Sequence, residues 1–234
     1  MKVLPERPTV LVNVAMSADG KIDSFARQGS MISSAEDSAR VDRLRTGVDA
    51  VLVGGRTLLD QDPRLTLKSS ELRQERLKRG LPENPAKVGV VTVADLKPDC
   101  RFLTFGPARK LIYTTAQTGP QQVAALAAGG AEVFVLGERR VDLAAMLASL
   151  HTLGVRSLLV EGGGTLIAGL FRLDLVDELT IYVAPRILGG ATAPTPVDGP
   201  GIPLERAPRL QLLSVEPFDT EGGILIHYRV ECKG

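Results

Sequence analysis

Leu158-Leu159-Val160-Glu161-Gly162-Gly163-Gly164-Thr165-Leu166-Ile167-Ala168-Gly169 is the stretch whose reading decides the fold. A short apolar run enters a glycine turn, and a helix opens behind it. Three consecutive glycines permit positive φ and let the backbone lie close to a ligand. Thr165 and the peptide N–H groups around it stand at a helix start, which carries partial positive charge and unpaired donors. Such a turn suits a pyrophosphate; the same turn also serves as a plain strand-to-helix connection. The spacing is neither G-x-G-x-x-G nor G-x-x-x-x-G-K-[ST], so neither the Rossmann nor the P-loop pattern applies.

Working outward, Ala50–Val53 reads as a second buried strand, and Gly54-Gly55-Arg56-Thr57 follows it as a second glycine turn. Open α/β sheets bind ligands beyond the carboxyl ends of their strands, so two such turns point to a nucleotide cleft. Thr9–Ser17 is a β-branched strand ending in the turn Ala18-Asp19-Gly20-Lys21. Asn13 interrupts its apolar run, which places that side chain either on a wet face or against a ligand. Ser34-Ala35-Glu36-Asp37 resembles a capping box, with a helix running to about Thr46 and stopped by Gly47.

Residues 68–88 are charged and Leu-spaced, the pattern of a surface helix or lid rather than core. Strands are predicted at Val88–Val93, Lys110–Thr114, Glu132–Leu136 and Glu178–Ala184, and a helix at Gln121–Ala128. Leu143, Met146, Leu147 and Leu150 mark the core face of another helix. Leu210–Pro217 and Gly223–Val230 read as an antiparallel pair. The β-α alternation runs without a linker, so the expectation is one α/β domain over residues 1–234 with an antiparallel C-terminal edge.

Composition narrows the function. The chain has 234 residues, 44% hydrophobic content and a formal charge of +1, with 4% aromatics and no Trp. No basic stripe interleaves with aromatics, which argues against nucleic acid. No apolar run approaches a membrane span and no leader pattern is present, so a cytoplasmic protein with no membrane association is expected. Cys100 and Cys232 read as free thiols in a reducing compartment. His151 and His227 alone give a zinc cluster or a His-based triad little to work with, so no metal is expected.

Several segments together resemble one family. They are Val12-Asn13-Val14-Ala15-Met16-Ser17 with Asp19-Gly20-Lys21, Met31-Ile32-Ser33-Ser34, Asp42-Arg43-Leu44-Arg45, and Asp49 to Gly54 with Thr57. Asp62-Pro63-Arg64-Leu65-Thr66, Val160 to Gly164, and Val176-Asp177-Glu178-Leu179 complete the set. The chain resembles the pyrimidine reductases of riboflavin biosynthesis, from about residue 9 to 231. The resemblance implies a dihydrofolate-reductase-like α/β fold: a mostly parallel central sheet flanked by helices, with an antiparallel C-terminal edge. It implies NADPH-dependent reduction of the ribosylamino side chain of a phosphorylated pyrimidine to ribitylamino, in a homodimer joined through Ile187–Pro196. In some relatives this domain is fused to a zinc deaminase, whose H-x-E…P-C-x-x-C pattern this sequence lacks. The reductase alone is therefore expected.

By position, the resemblance implies NADPH contacts at Thr57, Ala15 and Thr92, and a pyrophosphate loop at Gly162, Gly163, Gly164, Thr165 and Leu166. It implies substrate contacts at Asn13, Ser33, Arg45, Leu65 and Lys68, the two cations suiting the 5′-phosphate. Arg45 also stands in a helix's last turn, where a cation favours the dipole. Glu161 matches a substrate-contacting carboxylate and is the catalytic candidate. The chain departs from the family at Gln61, a cofactor-site position where an acid is expected; Asp60 and Asp62 flank it. Stand-alone archaeal and fungal relatives carry Asn at position 13 and reduce the 2,5-diamino compound, and an Asn carbonyl can accept from an exocyclic amino group. Three alternatives stay open from sequence: the deaminated pyrimidine as substrate, another reductase on this fold, and a nucleotide-binding protein without turnover.

Overall fold

The computed structural model describes residues 6–29 and 31–231. Cys232 and residues 1–5 of the lead-in lie outside them. In chain order the elements are β1 (Thr9–Ser17), α1 (Ala35–Thr46), β2 (Ala50–Gly54), α2 (Gly55–Asp60), α3 (Ser70–Lys78), β3 (Ala86–Val90), α4 (Arg101–Thr104) and β4 (Lys110–Thr114). Then come α5 (Pro120–Ala128), β5 (Glu132–Val135), α6 (Leu143–Thr152), β6 (Ser157–Val160), α7 (Gly164–Arg172), β7 (Glu178–Ala184), a 3-10 turn at Leu204–Arg206, β8 (Leu210–Pro217) and β9 (Ile224–Val230). The chain divides into two compact units, Met1–Thr9 with Asp42–Leu159, and Val10–Val41 with Val160–Gly234.

In the first unit the strands lie in the order β5-β4-β3-β2-β6. β2 pairs with β3, β3 with β4 and β4 with β5, all parallel. Parallel strands covered on both faces read as continuous apolar runs, and Ala50–Val53, Leu111–Tyr113 and Leu158–Leu159 are buried throughout. Met146, Leu147 and Leu150 of α6 are buried too, as their helical spacing predicts.

Two predictions in this unit are corrected. The expected strand Val88–Val93 begins earlier and ends sooner, because Lys87 can enter the sheet as a buried residue. Its Nζ donates to Phe102 O at 3.1 Å and Phe105 O at 2.6 Å, at the end of α4. Burial still lowers its pKa, to about 8. The charged stretch 68–88 is more than a surface helix, because Arg76 of α3 is buried. Its Nη1 donates to Thr46 O at 3.0 Å and Val48 O at 2.8 Å, and its Nε to Pro82 O at 2.8 Å. Carbonyls at a helix C-terminus lack intrahelical partners, and this guanidinium supplies them for α1.

In the second unit β1 pairs with β7 in parallel, with Asn13 opposite Thr180 and Ala15 opposite Tyr182. β9 then pairs antiparallel with β7 and with β8, with a register shift between Leu212 and Ser214. This is the expected antiparallel C-terminal edge. The turn after β1 is fixed by Asp19, which accepts from Ser17 Oγ at 2.6 Å, Leu188 N at 3.1 Å and Gly189 N at 2.7 Å. The Ser17 hydroxyl, followed by the two backbone donors, holds the Asp19 carboxyl at a pKa of about 2.

Arg76→Met keeps the side chain's bulk and takes this cationic donor from the Arg45, Thr46, Val48 and Pro82 carbonyls, of which Thr46 O keeps Arg79. Urea unfolding should show a loss of about 3 kcal/mol, the scale of hydrogen bonds from a charged group. A loss below about 1 kcal/mol would mean that water serves those carbonyls equally well.

Candidate active site

In the first unit Thr57 lies half-buried in α2, whose N-cap Gly54 makes no side-chain cap. The predicted glycine turn is a direct passage: Gly54 ends the strand and Gly55 begins the helix. A Cβ on Gly55 would stand 3.2 Å from Val91 Cγ2 and 3.4 Å from Val90 O. The glycine therefore lets α2 start against the end of β3, where exposed Thr92 follows. Two strand ends are thus side by side, each with its predicted threonine.

Gln61 is exposed at the end of α2. Asp62 accepts from Arg101 N at 2.8 Å and Phe102 N at 3.0 Å, capping α4. Asp62 is therefore committed to structure and does not replace the acid missing at Gln61; Asp60 is exposed beside it.

The segment 65–69 is held from two sides. Asp42 accepts from Lys68 N and Ser69 N, each at 2.9 Å, and Arg45 Nη1 donates to Thr66 O at 3.0 Å. Asn84 Oδ1 accepts from Leu67 N at 2.9 Å. Leu65 is buried yet has φ of 51°, a conformation that costs a non-glycine residue about 1 kcal/mol or more. Strain of that kind persists where the surroundings over-determine it. Arg45 and exposed Lys68 are thus brought to one locality. The carbonyls at the end of α1 are served by Arg76 and also by Arg79, whose Nη1 donates to Thr46 O at 3.3 Å.

In the second unit the glycine turn carries φ of 126° at Gly162. A Cβ on Gly164 would collide with Thr195 O and stand 2.9 Å from Asp198 Cβ. Gly164 is therefore required by the chain's own 195–198 segment, and only Gly162 by its φ. Helix α7 has Gly163 as its N-cap, no side-chain cap and no acidic residue in its first turn. Thr165 is exposed there, whereas the Leu166 side chain is buried. Uncapped N–H donors, an exposed hydroxyl and a first turn without acidic residues fit an anion such as pyrophosphate. Glu161 follows β6 directly and is half-buried.

Asn13 is buried, and its Oδ1 accepts from Arg40 Nη2 at 2.7 Å. Its carbonyl therefore already has one donor within the protein, with a second lone pair remaining. Arg40 is fixed in turn by Asp37 Oδ1, at 2.9 Å from Nε and 2.7 Å from Nη2. Ala15 packs partly buried against Ile32, Tyr182 and Ala184, with half-buried Ser33 next to Ile32.

The sequence reading missed what surrounds these residues. Ser34 Oγ accepts from Asp37 N at 3.1 Å, as an N-cap should, and donates to Asp219 Oδ2 at 2.7 Å. Tyr182 OH donates to the same oxygen at 2.7 Å. Asp37 and Arg40 are three residues apart on a helix, a visible pairing signal. Nothing local announces Asp219, which lies far along the chain.

This geometry defines an α/β protein with glycine-led helix starts at strand ends and a buried polar cluster. The family described as the RibD C-terminal domain matches residues 8–222, and the chain belongs to it. A 2,5-diamino-6-ribosylamino-4(3H)-pyrimidinone 5′-phosphate reductase of Archaeoglobus fulgidus is 47% identical over 193 residues, 82% of this chain and 87% of that protein. A protein of the same name from Methanothermobacter thermautotrophicus is 39% identical over 96% of this chain and 99% of its own length. A pyrimidine reductase-like protein of Corynebacterium diphtheriae shares the fold at a TM-score of 0.82 and 19% identity, covering 97% of this chain and 93% of its own. The fold is dihydrofolate-reductase-like, mostly parallel with an antiparallel edge.

Asp219 makes the polar cluster pH-sensitive. The Ser34 hydroxyl, then Tyr182 and the Gly223 N–H, hold its carboxyl at a pKa of about 2. An unfolded Asp titrates near about 3.9. A depressed pKa contributes stability above the unfolded value, lost as pH falls through the folded one. Thermal melts from pH 7 to pH 2 should therefore separate wild type from Asp219→Asn most at neutral pH, with the gap closing between about pH 4 and pH 2. A constant gap would mean that the cluster does not depend on the charge.

Proposed function

We propose that this chain is the reductase acting on 2,5-diamino-6-(ribosylamino)pyrimidin-4-one 5′-phosphate in riboflavin biosynthesis, with NADPH as its cofactor. The observation that carries the reading is similarity along nearly the whole length to reductases of that name, at 47% and 39% identity. The reductase class and the pathway follow from the family; the cofactor, the residue roles and the assembly are our reading. Residues 1–234 act as a single reductase domain, in a cytoplasmic homodimer joined through Ile187–Pro196. No helix among the described residues is long and apolar enough to cross a membrane.

Bound NADPH would supply a hydride for C1 of the ring-opened sugar imine. Backbone at Gly162, Gly163, Gly164, Thr165 and Leu166 would hold its pyrophosphate through the N-terminus of α7, and Ala15, Thr57, Gln61 and Thr92 would line the rest. Arg45 and Lys68 would take the substrate's 5′-phosphate, the lysine as a point charge rather than a fork. Leu65 can contribute only backbone, since its side chain is buried. Asn13, Ser33 and Glu161 would orient the pyrimidine and its side chain, with Glu161 nearest the chemistry.

The test is NADPH oxidation with the diamino nucleotide and its deaminated counterpart competing in one assay. The diamino compound should have the higher kcat/KM, and NADPH should be preferred over NADH. Preference for the deaminated compound would overturn the substrate, and tight NADPH binding without turnover of either would overturn the enzyme. Arg45→Ala should raise KM by about one to two orders of magnitude, the range of a charge-assisted contact, with NADPH affinity nearly unchanged. Glu161→Gln should lower kcat/KM at least about tenfold while leaving folding and NADPH binding intact. Lost thermal stability with normal turnover would make Glu161 a structural carboxylate.

A further inference from the structure

Arg40 carries only donors, so the Asn13 atom 2.7 Å from its Nη2 must be the amide oxygen. That contact sets which way the Asn13 amide faces. Among the described residues Asn13 Nδ2 has no protein acceptor. Nor is it sealed from solvent, since among the described residues the one fully enclosed side-chain N or O atom without a partner is Asp37 Oδ2. The amide thus turns its carbonyl to Arg40 and leaves its two N–H donors on the other side of the planar head.

The support behind Arg40 is costly. Asp37 accepts both hydrogen bonds from Arg40 at Oδ1 and leaves Oδ2 buried without a partner. An unsatisfied buried acceptor destabilises a fold. Nη2 donates to both Asp37 Oδ1 and Asn13 Oδ1, while Nε also stays on Asp37. On its other side Arg40 Cζ lies 5.8 Å from the Phe218 ring centre, and Phe218 packs edge-on against Tyr182 at 6.1 Å between centres. The guanidinium is therefore fixed by a carboxylate, a ring and the amide it orients.

We infer that Arg40 is a positioning residue that locks the Asn13 amide with its N–H donors toward the substrate, so that Asn13 recognises an acceptor atom on the heterocycle, a carbonyl oxygen or an unprotonated ring nitrogen. This inference rests on the proposed substrate site. It reverses the polarity that the side chain's name alone suggests: an exocyclic amino group is not what Asn13 reads. Discrimination between the diamino and deaminated pyrimidines then lies with other groups, or with the ring nitrogen whose protonation differs between them.

Asn13→Asp decides the polarity, because it removes the donors and keeps an oxygen for Arg40. The probe is the ribitylamino reaction product of the diamino nucleotide, titrated by calorimetry in the presence of NADP⁺, so that binding is read without turnover. If Asn13 donates, Asn13→Asp should weaken binding about tenfold or more. If Asn13 accepts from an amino group, binding should hold or tighten, and the inference falls. Arg40→Met frees the amide to flip and should raise KM for the diamino substrate about three- to tenfold with kcat nearly constant. Arg40→Lys, which keeps a donor near Oδ1, should recover most of that loss. Unchanged KM in Arg40→Met, or equal losses in kcat and KM tracking melting temperature in both Arg40 variants, would make Arg40 merely structural. Wild type that fails to bind the product would overturn the site itself along with this inference, whereas wild-type binding with an indifferent Asn13→Asp would overturn the inference alone.

Discussion

Backbone N–H groups that turn inward must find an acceptor, and in this chain single aspartates provide it. Asp42 takes Lys68 N and Ser69 N; Asp49 takes Arg156 N and Ser157 N; Asp62 takes Arg101 N and Phe102 N. Asp19 takes Leu188 N and Gly189 N, and Asp219 takes Glu221 N and Gly223 N. Each is one carboxylate closing on backbone donors one or two residues apart. They fix loops and the starts of elements, and loops at strand ends are where ligands bind in this class of sheet. A site made from loops needs such clamps, because loop backbone has no ladder to hold it.

This gives a physical content to the segments that carried the family resemblance. Asp19-Gly20-Lys21, Asp42 to Arg45, Asp49 to Gly54 and Asp62 to Thr66 each begin with one of these aspartates. Val176-Asp177-Glu178-Leu179 contains another, since Asp177 accepts from Val10 N at 2.7 Å. The motifs therefore record how the backbone is tied as much as how ligands are met. Asp62 shows the difference most clearly: beside the substituted Gln61 it looks available, yet its two oxygens are spent on α4.

Strands and helices were legible where one pattern decided them. Thr9–Ser17, Lys110–Thr114 and Glu178–Ala184 carry β-branched or apolar runs bounded by turn residues, and they fold as read. The reading failed where a charge is buried. Lys87 and Arg76 are cations in positions that periodicity assigns to solvent, and both go inside to meet carbonyls supplied by distant segments. Local pattern carries no information about those carbonyls. The same limit hid Asp219, whose partners Ser34 and Tyr182 lie 185 and 37 residues away in sequence. The glycine turn was legible as a turn, but its three glycines serve different needs: Gly162 a φ of 126°, Gly164 a close approach to the 195–198 segment.

An amide side chain shows where sequence reasoning about a site must stop and geometry must take over. Asparagine presents one acceptor and one donor group on a planar head, and turning that head exchanges them with little change in shape. Which end a ligand meets is set by whichever neighbour is less forgiving. Here the neighbour is a guanidinium, which cannot accept, and which is itself held by a carboxylate buried with one oxygen unserved. Polarity at Asn13 thus originates on α1, about one and a half helical turns into a segment whose sequence signals only a cap and an ion pair. A specificity argument built on direction alone would therefore assign the wrong partner to the right residue.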